Sequence, residues 1–224
     1  MASSDTTRLL VLGVAQIFGP ANGYQLRREL LSWEVQDWAN INPGSIYSML
    51  ATLTKQGMVE RADVVATPGA SPVAVYRATD AGRDELVALV REGITTVHQF
   101  ERTYFYAAAS LMVTSLERPE ILTLIGTRIE NLEAKNAELV PATDAIRADR
   151  GSPPHVARLI EYSIALNTAE IDWLREFVDD IADGKLTFLG EPEMQDWKPR
   201  DNDPAWRMVR ERELYLEKLK DPTS

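Results

Sequence analysis

Between Leu9 and Val59, apolar residues recur every three or four positions in three separate runs, each closed by glycine, proline or a polar cluster. That period predicts three helices. The first, Thr7 to Phe18, carries Leu9, Leu10, Leu12, Val14, Ile17 and Phe18, more apolar positions than a single face needs, and Gly19-Pro20 stops it. Asn22 is placed to cap a second helix from Gly23 to about Trp33, with Leu26, Leu30 and Leu31 inward and Arg27, Arg28 and Glu29 outward. Glu34 to Ile41 reads as a connection with room for a short turn. The third helix has Asn42 as N-cap and Pro43 in the first turn, where proline sacrifices no hydrogen bond. Ile46, Leu50 and Leu53, with Met49 beside them, form its apolar stripe, and Gly57 closes it.

The pattern then changes. Met58 to Ala66 alternates weakly and Val73 to Ala78 reads as a second extended piece; Thr67-Pro68-Gly69-Ala70-Ser71-Pro72 between them is a six-residue tip rich in turn formers. The prediction is one small β-hairpin, followed by a helix capped by Thr79 or Asp80. Three helices, a hairpin and a helix in that order, over about 80 residues, are the winged helix-turn-helix layout, in which the helix before the hairpin reads the major groove.

Beyond residue 80 the period stays helical. Leu86, Leu89, Val90, Ile94, Val97, Phe100, Tyr104 and Phe105 keep helical spacing to about residue 115, with a break expected near Gly93. Pro119 to about Val140 places Ile121, Leu122, Ile125, Ile129, Leu132 and Leu139 on one side and Arg128, Glu130, Glu133 and Lys135 outside. Pro141 is expected to disturb that helix, and residues Arg147 to Pro154 to form a polar loop. A last long helix, from about Pro153 to Ala182 with Ser152 as cap, has a broad apolar stripe that includes Leu159, Ile164, Ile171, Trp173, Leu174 and Phe177. In the remaining tail, Phe188-Leu189 could pack back on the body, Glu191 to Pro204 is expected to be extended, and Pro204 to Lys220 to form a short helix clasping its own subunit or a partner.

Several strings carry a resemblance. Leu9-Leu10-Val11-Leu12-Gly13, Gly23-Tyr24-Gln25-Leu26, Gly44-Ser45-Ile46-Tyr47, the Leu50, Leu53 and Gly57-Met58-Val59 series, and Val75-Tyr76-Arg77-Ala78-Thr79-Asp80-Ala81-Gly82 resemble the PadR family of bacterial transcriptional regulators. Ala169-Glu170-Ile171-Asp172-Trp173-Leu174 resembles a recurring segment of the helical C-terminal domain of the longer members. The resemblance implies a homodimeric winged-helix repressor, held together by its C-terminal helices, whose DNA affinity is often set by a small molecule. The expected organisation is mainly α, with a winged helix-turn-helix DNA-binding domain over 1–90, an all-helical dimerisation domain over 91–184 and a tail over 185–224. Two departures stand out. Ser71-Pro72-Val73-Ala74 supplies no basic residue before Arg77, and the second half of the third helix offers only Lys55. Fewer cations mean weaker non-specific binding and a shallower salt dependence.

Charge points the same way. The chain carries a net charge of −10, which opposes indiscriminate nucleic-acid binding. Residues 1–90 hold 7 Lys+Arg against 9 Asp+Glu, for −2, and the other −8 falls on the rest of the chain. With no cysteine there is no disulfide, thiolate ligand or cysteine nucleophile. His98 and His155 lack metal-ligand spacing, and no Gly-x-Gly-x-x-Gly, P-loop or Gly-x-Ser-x-Gly string occurs, so no enzyme and no cofactor are expected. No stretch spans a membrane and no signal-type apolar run opens the chain, which makes the cytoplasm the expected compartment.

The expected partner is double-stranded DNA, bound by a homodimer on a pseudo-palindromic operator. Ser45, Ser48 and Thr52 are the candidates for base edges or nearby phosphates, with Tyr47 and Lys55 on the backbone. Asn42 and Gly44 open the helix so that its N-terminus can approach phosphate, and Arg77 is a further backbone candidate; Tyr24 and Ile46 are expected to pack. Phe100, Tyr104, Phe105 and Trp173 could line a cavity for a planar aromatic effector, although aromatics at helical spacing are more often core or interface. Two alternatives stay open: a winged-helix protein-interaction module that no longer binds specific DNA, and a ligand-binding dimer without DNA-linked regulation.

Overall fold

The computed structural model describes residues 4–64, 71–98, 101–149, 151–195 and 205–220, apart from the side chains of Gln195, Ala205 and Arg207. The expected hairpin tip (in part), Phe100, and most of the expected extended stretch between Glu191 and Pro204 lie outside the described residues. Two compact units result: residues 1–90 together with 196–224, and residues 91–195.

In the first unit α1 (Ser4–Phe18), α2 (Gly23–Ser32) and α4 (Pro43–Lys55) form the three-helix core, with α3 (Val35–Trp38) a single turn in the connection. Leu9, Leu10, Leu26, Leu30, Ile46 and Leu53 are fully buried, so the three apolar runs meet as their spacing predicts. Asn22 caps α2 with a reciprocal capping box: its side chain accepts from the Gln25 N–H at 3.0 Å, and the Gln25 side chain accepts from the Asn22 N–H at 2.7 Å. After α4, Gly57 takes a φ of 75°, the left-handed conformation glycine adopts without strain.

The wing strands β2 (Val59–Val64) and β3 (Val73–Ala78) pair antiparallel, with Glu60 opposite Arg77 and Ala62 opposite Val75. A two-residue strand, β1 (Ala21–Asn22), joins the far side of β3 and makes the sheet three-stranded in the order β1-β3-β2, where the sequence suggested a hairpin alone. Two residues give no alternation to detect; only pairing to Tyr76 and Val75 reveals them. Helix α5 (Asp80–Thr95) follows, its first turn held by Thr79, whose hydroxyl donates to the Gly57 carbonyl at 2.7 Å and accepts from the Gly82 N–H.

The second unit contains α6 (Thr103–Ser115), α7 (Arg118–Ala148), α8 (Pro154–Ala182) and the short α9 (Pro192–Gln195), and α7 packs along α8. Two expectations are corrected here, and the break expected near Gly93 falls just after it. Helix α5 continues through Gly93 and stops at Thr95. Helix α7 runs through Pro141 to Ala148, because the proline and the freed carbonyl of Ala137 lie on an exposed face where water can take the lost bond, while Leu139 and Thr143 stay buried. Helix α8 begins after Pro153 and has no side-chain cap; Ser152 instead donates to Asp149 at 2.7 Å in the preceding loop. That hydroxyl, then the Gly151 N–H, hold the Asp149 carboxyl below its ordinary value.

Phe188 does pack back: it is fully buried with the Arg118 guanidinium 4.6 Å from its ring centre, whereas Leu189 is exposed. The last helix, α10 (Ala205–Lys220), belongs to the first unit, where it contacts α1, β1 and β2.

Candidate nucleic-acid interface

Helix α4 divides cleanly. Ile46, Leu50 and Leu53 turn into the core, and Ser45, Ser48, Thr52 and Lys55 follow one another at three- and four-residue intervals on the other side. Ser45 is half-buried; Ser48, Thr52 and Lys55 are exposed. The cap works as its residue types predict, the Asn42 side chain accepting from the Ser45 N–H at 3.0 Å with Pro43 in the first turn. One cap satisfies one of the free N–H groups of that first turn, so exposed Gly44 leaves the helix end open to an anion.

The hydroxyls differ in what they can still do. Thr52 donates to the Ser48 carbonyl at 2.9 Å, so its oxygen is left to accept and its methyl group to make apolar contact. Among the described residues Ser45 and Ser48 make no side-chain hydrogen bond and Lys55 no ion pair, and these groups keep their full capacity for an incoming ligand. Ser4 and Thr7 of α1 join Asn42, Gly44, Ser45, Ser48, Met49 and Thr52 in one shallow groove of about 460 Å³ along this face.

Tyr47 is 43 % exposed and its ring lies beside the start of α2, where a side chain on Gly23 would come within 3.0 Å of it. Ile46 is buried as expected, but Tyr24 is not: it is 60 % exposed, with the Arg27 guanidinium 5.7 Å from its ring centre. Tyr24 sits two residues past the cap of α2, in a first turn that faces water, and a Gly-Tyr-Gln-Leu string carries no signal for that. Arg77 forms an ion pair with Glu60, its cross-strand neighbour, and Arg61 pairs with Asp63 at 2.8 Å. Both described wing arginines therefore carry a compensating carboxylate. A chemistry of neutral hydrogen-bonding groups with one cation suits base edges and backbone better than bulk electrostatic attraction.

The aromatic candidates fall in the second unit. Tyr104 is buried, its hydroxyl 3.4 Å from Glu92. Phe105 meets Trp173 edge-to-face at 6.4 Å between ring centres, and Trp173 stacks on Phe177 at 5.3 Å. These three rings, with Tyr106, Met112 and Leu186, line an apolar groove of about 510 Å³. Trp173 is 48 % exposed rather than core, as are Leu159 and Tyr162 on the same helix.

One charged cluster escaped the sequence reading. Arg128, expected outside, is 2 % exposed. It donates to Glu170 at 2.5 Å and to the carbonyls of Ile94 and Thr96 at 2.9 and 2.8 Å, and lies 3.8 Å from the Phe105 ring centre. Arg102 also pairs with Glu170 and donates to Asn167 at 2.8 Å. Burial pushes the Arg128 guanidinium below its ordinary value, opposed by the Glu170 carboxylate. The signal was present in the spacing, since Ile121, Ile125, Arg128 and Leu132 share one stripe of α7.

Residues 11–88 match the model of the Transcriptional regulator PadR-like family. Among curated proteins nothing matches. Among solved structures, Bacillus subtilis PadR in complex with operator DNA is 20% identical, covering 78% of this chain and 98% of its own, at a TM-score of 0.35. A PadR-like transcriptional regulator of Bacillus cereus is 20% identical, with 80% and 99% covered and a TM-score of 0.32. Bacillus subtilis PadR in complex with p-coumaric acid is 17% identical, with 79% and 97% covered and a TM-score of 0.32.

Proposed function

We propose that this chain, whose residues 11–88 match the model of the PadR-like family of transcriptional regulators, is a repressor that binds a pseudo-palindromic operator as a homodimer. The observation that carries the reading is the outward face of α4, where Ser45, Ser48, Thr52 and Lys55 stand in a row with hydrogen-bonding capacity unspent. Placed in the major groove, Ser45, Ser48 and Thr52 meet base edges, Tyr47 and Lys55 hold the backbone, and Asn42 and Gly44 let the helix end approach phosphate. Arg77, shared with Glu60, contributes less.

Dimerisation through the C-terminal helices is supported by Leu159, Tyr162 and Trp173, exposed apolar side chains on α8 that a second copy would cover. A small aromatic effector fits the groove lined by Phe105, Trp173 and Phe177, and would regulate by favouring one arrangement of the dimer. No helix among the described residues is long and apolar enough to cross a membrane. The paired wing arginines favour a second reading, a protein-interaction module.

The deciding experiment is binding of the purified protein to the region upstream of its own gene, beside an unrelated duplex, at two salt concentrations. Tight, salt-sensitive preference for its own region is the expected result. Equal weak binding to both duplexes would favour the interaction module.

A further inference from the structure

We infer that α10 is a working part of the DNA-binding unit and that Tyr215 is the residue that positions the wing. Alternation along β2 and β3 sends Val59 and Ala78 to one face of the sheet and Ala62, Val64, Val73 and Val75 to the other. The first face meets the helical core. The second would face water if nothing lay on it, yet Val64 and Val75 are 3 % and 1 % exposed. They are covered by Tyr215, itself 5 % exposed, with Ala62 and Leu219 packed at the edge of the same cluster.

Polar contacts fix where the helix lies. The Asn22 side-chain amide donates to the Tyr215 hydroxyl at 3.4 Å, Gln25 donates to Glu211, and Arg212 donates to the Gly19 carbonyl at 2.9 Å. Asn22 and Gln25 are the two members of the capping box that starts α2. Tyr215 therefore holds the wing with its ring and the opening of α2 with its hydroxyl. Beside the β1–β3 pairing, which also ties the wing to the start of α2, Tyr215 adds a side-chain link to the angle between wing and helix-turn-helix, which decides whether both can reach one stretch of DNA.

The consequence for DNA rests on the regulator reading; the positioning role does not. The test uses the full-length chain carrying Tyr215→Ala, Leu219→Ala or Tyr215→Phe, measuring amide hydrogen exchange and operator affinity. Tyr215→Ala should speed exchange of the 59–64 and 73–78 amides about tenfold or more relative to those of α4, and weaken operator binding by roughly the same factor. Leu219→Ala should show the same pattern at smaller amplitude, and Tyr215→Phe should keep the wing protected. Unchanged wing exchange in Tyr215→Ala overturns the inference, as does an equal loss of protection in the wing and α4, which would make α10 ordinary core. Should the unsubstituted protein bind no operator, the regulator reading fails and the exchange pattern still decides the role of Tyr215.

Discussion

The outward face of α4 and the Arg128–Glu170 cluster of α7 and α8 are both built from polar groups at helical spacing, and they could hardly be used more differently. Around Glu170 the charges are spent on one another: buried Arg128 has its carboxylate, two backbone carbonyls and an aromatic face, and half-buried Arg102 has the same carboxylate and an amide. Along α4 the groups are uncharged save for Lys55, and mostly unspent. Strength of charge is a poor guide to function here. On the proposed reading, spare hydrogen-bonding capacity at the surface separates a recognition face from a cluster that holds helices together.

Substitutions can break this contrast. The largest effect is expected from Glu170→Ala, which strands two guanidinium groups, one of them buried; removing one partner of a buried pair costs about 3–5 kcal/mol, read as a lowered midpoint in urea. Operator affinity of the fraction that remains folded should be unchanged, and a loss of affinity without a loss of stability would erase the distinction. Asn42→Ala lies between the two regions, since it removes the cap of α4: it should cost about 1 kcal/mol of stability and weaken DNA binding as well. Lys55→Ala should leave the urea midpoint in place and lower the salt slope of binding by about one. If slope and affinity both stay put, Lys55 is not on the DNA. The smallest change is expected of Ser48→Ala, with stability within roughly 0.5 kcal/mol of the parent and a lost preference for the operator over an unrelated duplex.

What could be read from the sequence follows the range of the forces involved. Helix α4 was legible in full because cap, first-turn proline, stripe and terminal glycine all act within a few residues. The wing strands were legible from alternation and from the turn formers between them. Strand β1 was not, since its two residues have meaning only against Tyr76 and Val75. Pro141 misled because its cost depends on whether water reaches the freed carbonyl, and Arg128 because a charge is buried only where a distant partner such as Glu170 stands opposite. The helical content of residues 205–220 was visible, but the choice between clasping its own subunit and a partner needed the wing's second face, whose exposure no local pattern reports.

The contact of Arg212 with Gly19 closes a gap of 193 residues along the chain. During synthesis the N-terminal unit therefore emerges with one side of its wing bare, and must wait for the whole helical segment of residues 91–195 to be translated before α10 arrives. Long-range closure of this kind is slow relative to local helix formation. A ribosome stalled before residue 205 would display a winged helix with an uncovered apolar strand pair, a substrate for chaperones rather than a competitor for the operator.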